Sequence, residues 1–201
     1  MDFKGFDHPG RPAAGGTRSV KVMIAGGFGT GKTTMVRSVS DIKPLTTEET
    51  LTQASAGVDH LIGVADKTET TVSLDFGKIS LNESLMLYLF GTPGQERFWF
   101  LWNGLFKGAL GAVVLVDTRR LASSFRAIEE MERQNVPFVI ALNVFPDSKN
   151  HPVDEIRDAL DISPYIPVVE CDARDRASSR DVLVALIQHI KDRSAAALEP
   201  R

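Results

Sequence analysis

Residues 26–33 read Gly-Gly-Phe-Gly-Thr-Gly-Lys-Thr, and no other stretch narrows the possible folds of this chain as much. The spacing is a glycine, four residues, then Gly31-Lys32-Thr33. It follows the apolar run Val20-Lys21-Val22-Met23-Ile24-Ala25 and opens a helical pattern over Lys32 to Val39. Strand, glycine loop and helix in that order are the context in which this spacing holds phosphate. Glycines let successive backbone N–H groups turn inward as an anion cradle, which a Cβ would crowd. The helix adds its positive N-terminal end at the same point. On this reading Gly27, Phe28, Gly29, Thr30, Gly31 and Thr34 surround the phosphates of a nucleotide. Lys32 reaches the β and γ phosphates, and the Thr33 hydroxyl ligates Mg²⁺. A glycine-rich turn with an incidental lysine is the blander account, and it explains neither the strand before nor the helix after.

Further apolar strand candidates are Thr71 to Ile79, Leu85 to Phe90, Ala112 to Val116, Phe138 to Leu142 and Val168 to Val169. Helical patterns lie between them at Lys32 to Val39, Phe98 to Phe106, Leu121 to Gln134, Val153 to Leu160 and Ser179 to Arg193. Pro152 is expected in the first turn of its helix, where its missing N–H costs nothing. Alternating strands and helices predict an α/β fold, a mostly parallel sheet with helices on both faces. One pair breaks the alternation. Only a few residues around Asn82-Glu83 join Thr71–Ile79 to Leu85–Phe90, which forces a hairpin. The expectation is therefore a six-stranded sheet with one antiparallel strand. Residues 1–18, rich in Gly, Pro and Ala, are expected to form a flexible tail before one domain over 19–193, with a C-terminal tail at 194–201.

At 201 residues, 43% hydrophobic and 24% charged, the chain suits one ordinary globular domain. A net charge of -3 leaves no global basic field for nucleic acid. The single cysteine, Cys171, allows no internal disulfide and fits a reducing, cytoplasmic setting. No apolar run approaches the roughly 18 residues of a membrane span. Gly is not at position 2 and no cysteine stands near the last residue, so no direct lipid anchor is expected. Membrane visits would go through a partner.

Two more segments lie where a nucleotide switch needs them, Phe90-Gly91-Thr92-Pro93-Gly94-Gln95-Glu96-Arg97-Phe98 and Thr71-Val72-Ser73-Leu74-Asp75-Phe76. With the phosphate loop they make the chain resemble the Ras-like small GTPases, over roughly residues 19–193. It looks most like the bacterial branch encoded in actinobacterial conservons and related to the gliding-motility GTPase MglA. Val116-Asp117-Thr118-Arg119-Arg120-Leu121 and Cys171-Asp172-Ala173-Arg174 fit that branch's pattern. The resemblance implies a Ras-like phosphate-loop fold binding GTP or GDP with Mg²⁺. It implies that the Gly94 N–H meets the γ-phosphate, that Gln95 orients the attacking water, and that Thr71 (with Thr70 a close competitor) caps Mg²⁺. It also implies a roadblock-type regulatory protein and a sensor-kinase-like protein as partners. The family's usual Asp three residues before that glycine is Gly91 here, so magnesium is expected to lean on Thr33, the phosphates and water.

The family reads guanine with Asn-Lys-x-Asp. Here Asn143 is in place, Val144 replaces the lysine, and Asp147 arrives one residue late after Pro146. Asp147 is expected to reach the base, with Phe145 or Val144 in apolar contact. Cys171, Asp172 and Ala173 resemble the second base element, in which the alanine N–H bonds guanine O6. Cys171 itself reads as a buried strand-end residue. Phe98-Trp99-Phe100-Leu101-Trp102 packs four aromatics into five residues. Some of Phe98, Trp99 and Trp102 are expected to be exposed as a partner patch. Arg97 is a candidate arginine finger. The leading expectation is a slowly hydrolysing GTP switch. A nucleotide-bound scaffold without hydrolysis is the alternative, and a small-molecule kinase is a third, weakened by the lack of an arginine-rich lid.

Overall fold

The computed structural model describes residues 17–51, 70–94, 98, 102–149 and 151–198. Its strands are β1 (Arg18–Gly26), β2 (Leu45–Leu51), β3 (Thr70–Asn82), β4 (Leu85–Gly91), β5 (Ala109–Val116), β6 (Phe138–Asn143) and β7 (Val168–Cys171). Its helices are α1 (Lys32–Val39), α2 (Trp102–Phe106), α3 (Phe125–Arg133), α4 (Val153–Ala159) and α5 (Arg176–Leu198), with a 3-10 segment over Thr118–Ser124. The strands form one sheet in the order β2-β3-β4-β1-β5-β6-β7. All six expected strands are present, and β2 adds a seventh at the edge. β3 alone runs antiparallel to its neighbours β2 and β4, while β4, β1, β5, β6 and β7 pair in parallel.

The parallel strands are apolar on both faces because helices cover both. Along β1, Met23 and Ala25 pack with Trp102, Phe106, Ile128, Met131 and Ile156, beneath α2, α3 and α4. The alternate residues Val22 and Ile24 pack with Met35, Val36, Val182 and Leu186 of α1 and α5. The period of two along the strand thus feeds two separate cores. The β3–β4 hairpin turns as expected, with the Asn82 side-chain carbonyl accepting from the Ser84 N–H at 2.9 Å. Pro152 stands at the N-cap of α4 rather than inside its first turn, and its carbonyl accepts the Ile156 N–H at 3.2 Å. α1 begins at Lys32 and ends at Val39, as the pattern predicts, whereas α5 runs on to Leu198.

Parallel pairing has a functional consequence. It brings the C-terminal ends of β1, β4, β5, β6 and β7 to one edge of the sheet, where ligands bind in open α/β folds. Gly26, Gly91, Asp117, Asn143 and Cys171 all stand at that edge.

Candidate nucleotide site

The loop between β1 and α1 is glycine-rich because its backbone has no room for side chains. Gly26, Gly29 and Gly31 have φ of 140°, 76° and 101°, in the region that favours glycine. A Cβ on Gly31 would lie 2.5 Å from Asn143 Nδ2, and one on Gly27 2.7 Å from the Ser123 side chain. Gly31 is the N-cap of α1 and no side chain caps the helix. Its first N–H groups are therefore left for an anion. Thr30 is buried and its hydroxyl donates to the Gly27 carbonyl at 3.1 Å, fixing the loop from inside.

A cavity of about 340 Å³ opens at this helix end, lined by Phe28, Gly29, Gly31, Lys32, Thr33, Thr34, Asp75, Thr92 and Gly94 among others. Lys32 is 8% exposed, and its Nζ donates to the carbonyls of Gly26 at 3.0 Å and Gly27 at 2.6 Å. Burial pushes its pKa down to about 8, with the Asp75 carboxylate opposing. Gly94 comes so close that a Cβ there would lie 2.6 Å from Lys32 Nζ. Phe28 stands at the rim with its ring largely exposed.

The carboxylate missing at position 91 comes from the neighbouring strand. Asp75 of β3 pairs with Gly91 of β4 in the antiparallel ladder. It is buried, and its Oδ2 accepts a hydrogen bond from the Thr33 hydroxyl. Beside them the Thr92 hydroxyl is buried without a hydrogen-bond partner. Asp75, Thr33 and Thr92 are hard oxygen groups around one cavity, and they fit Mg²⁺, which takes one or two carboxylates plus phosphate and water rather than an all-protein cage. No cluster of three or more His, Cys, Asp or Glu suited to a metal occurs among the described residues. Sequence reasoning assigns Asp75 no role. The signal was there: an acid inside an apolar strand, in a chain whose usual acid is a glycine.

A second, smaller cavity adjoins the first and shares Gly29, Gly31 and Thr34 with it. Its remaining lining is Asn143, Val144, Phe145, Asp172, Ala173 and Arg174. Asn143 ties the two cavities together. Its Nδ2 donates to the Thr30 carbonyl at 2.9 Å, and its Oδ1 accepts the Ala173 N–H at 3.0 Å. The Ala173 N–H expected to meet guanine O6 is thus engaged with Asn143. Asp172 lines the cavity under a fork from Arg174, which holds its carboxyl down to about 2. Cys171 is buried in β7, outside the lining, and burial raises its thiol pKa. Asp147 is also outside the lining: its side chain is 71% exposed and pairs with Arg119 at 2.5 Å.

Thr71 lies in β3, where its backbone pairs with Thr50 of β2. Gln95, Arg97 and Trp99 lie outside the described residues, so the expectations placed on them have no structural counterpart here. Phe98 and Trp102 do, and neither supplies exposed surface to the expected patch. Both are buried, and the Trp102 indole N–H donates to the Pro93 carbonyl at 3.2 Å.

Residues 24–193 match the family model described as conserved hypothetical ATP binding protein. The chain belongs to this family. An uncharacterized protein of Methanocaldococcus jannaschii is 26% identical over 126 residues, 62% of this chain and 69% of that protein. The Ras-related protein Rab-1C of Dictyostelium discoideum is 26% identical over 180 residues, 86% of this chain and 81% of that protein. Among solved structures, the G domain of the Thermotoga maritima FeoB iron transporter superposes with a TM-score of 0.58 at 17% identity, over 86% of this chain and 99% of that one. The FeoB G domain of Methanococcus jannaschii gives 0.58 at 15% identity, over 87% and 99%. The fold is that of a G domain. These matches support the Ras-like phosphate-loop superfamily and nucleotide binding by this member of the family. No described helix is long and apolar enough to cross a membrane.

Proposed function

We propose that this chain is a GTP-binding regulatory switch that hydrolyses GTP slowly, to GDP and phosphate, and works through partner proteins. The observation that carries the reading is the convergence of Lys32, Thr33, Asp75 and Gly94 on one cavity at the uncapped start of α1. Lys32 is released from the Gly26 and Gly27 carbonyls to the β and γ phosphates. The backbone of residues 27–32 takes the remaining phosphate oxygens. Thr33 and Asp75 would hold Mg²⁺, which when bound neutralises charge on the β and γ oxygens. The Thr92 hydroxyl, unpartnered and buried, gains an acceptor when phosphate or its water enters.

The Gly94 N–H would meet the γ-phosphate, a role given by resemblance, and ordering of the segments around Gly94 and Thr71 by that phosphate would be the switching event. Gln95 orients water by resemblance. A roadblock-type protein and a sensor-kinase-like protein are the proposed partners, and the cytoplasm the proposed setting, on the same ground. The test is single-turnover hydrolysis of GTP with Mg²⁺, with and without candidate partners. Phosphate release that a partner speeds is expected. GTP bound tightly but never cleaved would leave the non-hydrolysing scaffold standing in its place.

A further inference from the structure

The small cavity beside the phosphate site is the candidate base site of a bound nucleotide, because it shares Gly29, Gly31 and Thr34 with the phosphate cavity. At about 150 Å³ it is lined mostly by apolar atoms and by groups that already have partners. The Ala173 N–H is given to Asn143 Oδ1 at 3.0 Å. The Asp172 carboxylate is forked by Arg174, Nε to Oδ1 at 2.9 Å and a terminal N–H to Oδ2 at 2.8 Å. Asp147, the acid of the β6–α4 loop, is held at the surface by Arg119.

The Arg119 clamp is built, not incidental. Its Nε donates to Asp117 Oδ1 at 2.9 Å and one terminal nitrogen to Asp117 Oδ2 at 2.8 Å. Asp117 is fully buried and also accepts the Arg119 backbone N–H at 3.0 Å. The guanidinium carbon lies 4.0 Å from the centre of the Phe145 ring. With two arms and a face fixed, the third arm has one direction left, and it meets Asp147 Oδ1 at 2.5 Å. A planar guanidinium can bridge two carboxylates in this way, and a lysine ammonium on a flexible stem cannot do so in the same geometry.

We propose that Arg119 tempers the base selectivity of this site by holding Asp147 away from the base, so that the closed clamp keeps the preference for guanine below what a free Asp147 carboxylate would give. Arg119 is a positioning residue: it lines neither cavity and acts through Asp147. Released, the Asp147 carboxylate can accept from guanine N1–H and the 2-amino group, an edge adenine does not present. The inference rests on nucleotide binding as proposed above, and its test separates the two.

Equilibrium binding of fluorescent GDP, ADP and XDP is measured on the full chain and on Asp147→Asn, Arg119→Lys and the double variant. Lysine keeps a cation against buried Asp117, and Asp147 is exposed, so all four proteins are expected to fold. Thermal melting checks this independently of the ratio. The wild-type GDP:ADP affinity ratio is expected below about tenfold, and Asp147→Asn leaves it within about twofold. Arg119→Lys raises it about tenfold or more, the gain of one charged hydrogen-bonding acceptor. The double variant returns to the wild-type ratio and gains XDP. A large wild-type ratio that Asp147→Asn abolishes overturns the inference, as does a ratio unmoved by Arg119→Lys. Binding of none of the three nucleotides by the wild type overturns the nucleotide reading and this inference with it.

Discussion

The Thr33 hydroxyl donates to the carboxylate of Asp75, and Asp75 stands directly across the β3–β4 ladder from Gly91. The acid of this phosphate site therefore sits one strand away from where the Ras-like pattern carries it. Gly91 makes room for the exchange: a Cβ there would lie 3.0 Å from the Asp75 Cβ and 3.2 Å from its Oδ2. A second acid at position 91 would therefore crowd Asp75 and repel its carboxylate.

Asp75→Asn removes the charge while keeping the shape. Groups that orient a metal ligand typically cost 10- to 100-fold in metal affinity when changed, on the order of which the Mg²⁺-dependent part of GDP affinity should fall. Titration of Mg²⁺ against bound fluorescent GDP reads this directly. Affinity measured in excess chelator should barely move. An equal loss with and without Mg²⁺ would remove Asp75 from the metal site.

Moving the acid back is a sharper form of the same idea. Gly91→Asp alone sets two carboxylates in contact and overpacks the ladder, so it should destabilise the fold by about 1–3 kcal/mol in urea unfolding. Combined with Asp75→Gly, it should recover much of that stability and part of the Mg²⁺ dependence lost in Asp75→Asn. Additive losses in the double variant would show that the positions are not interchangeable.

Gly31→Ala tests the cradle. The residue has φ of 101°, and its Cβ would strike Asn143 Nδ2, which bonds the Thr30 carbonyl. The bond from Asn143 to Ala173 would be disturbed with it, joining phosphate and base cavities in one defect. A loss of about 2 kcal/mol or more in unfolding free energy is expected, from backbone strain and the broken contact together. GDP binding should be lost in the same variant at temperatures where it remains folded.

How far the sequence reached differs by region. The six apolar strands and the bounds of α1 were legible because burial on two faces, and the glycine-to-lysine change at 31–32, leave strong local signals. β2 was not, because Leu45-Thr46-Thr47-Glu48-Glu49-Thr50-Leu51 has no alternation; an edge strand is held by its backbone pairing to β3. Local reading also could not say which aromatics of that segment are buried, since the burial of Trp102 depends on long-range packing with Met23 and Ala25 of β1 and Ala112 and Val114 of β5. Lys32 and Thr33, singled out by spacing, line one cavity with Gly94, while Asn143 and Ala173, singled out with Gly94 by the resemblance, line the adjoining one. Asp147 does not join them, and the reason lies in Arg119, far away in sequence and silent until folded. The ties from Asp75 to Thr33 and from Asn143 to Ala173 are likewise long-range and carry no motif of their own.

Lys32 gives the last prediction, and its sign follows from its environment. Burial lowers its pKa from 10.5 to about 8, against the pull of Asp75, so the folded protein without nucleotide releases this proton before the unfolded chain does. Below pH 8 both states hold the proton and the full penalty of the buried charge is present. Between about pH 8 and 10.5 the unfolded state binds more protons, so this group's contribution to stability rises with pH, by about 3 kcal/mol in all. Nucleotide phosphates reverse the balance by restoring the ammonium. GDP binding above pH 8 should therefore take up close to one proton, and affinity should fall by up to about tenfold per pH unit there. Calorimetry at pH 8.5 in buffers of different ionisation enthalpy measures the uptake. Lys32→Met, with no proton to take, should abolish it along with most of the affinity. Proton-neutral binding by the wild type would mean that Lys32 stays charged in the free protein.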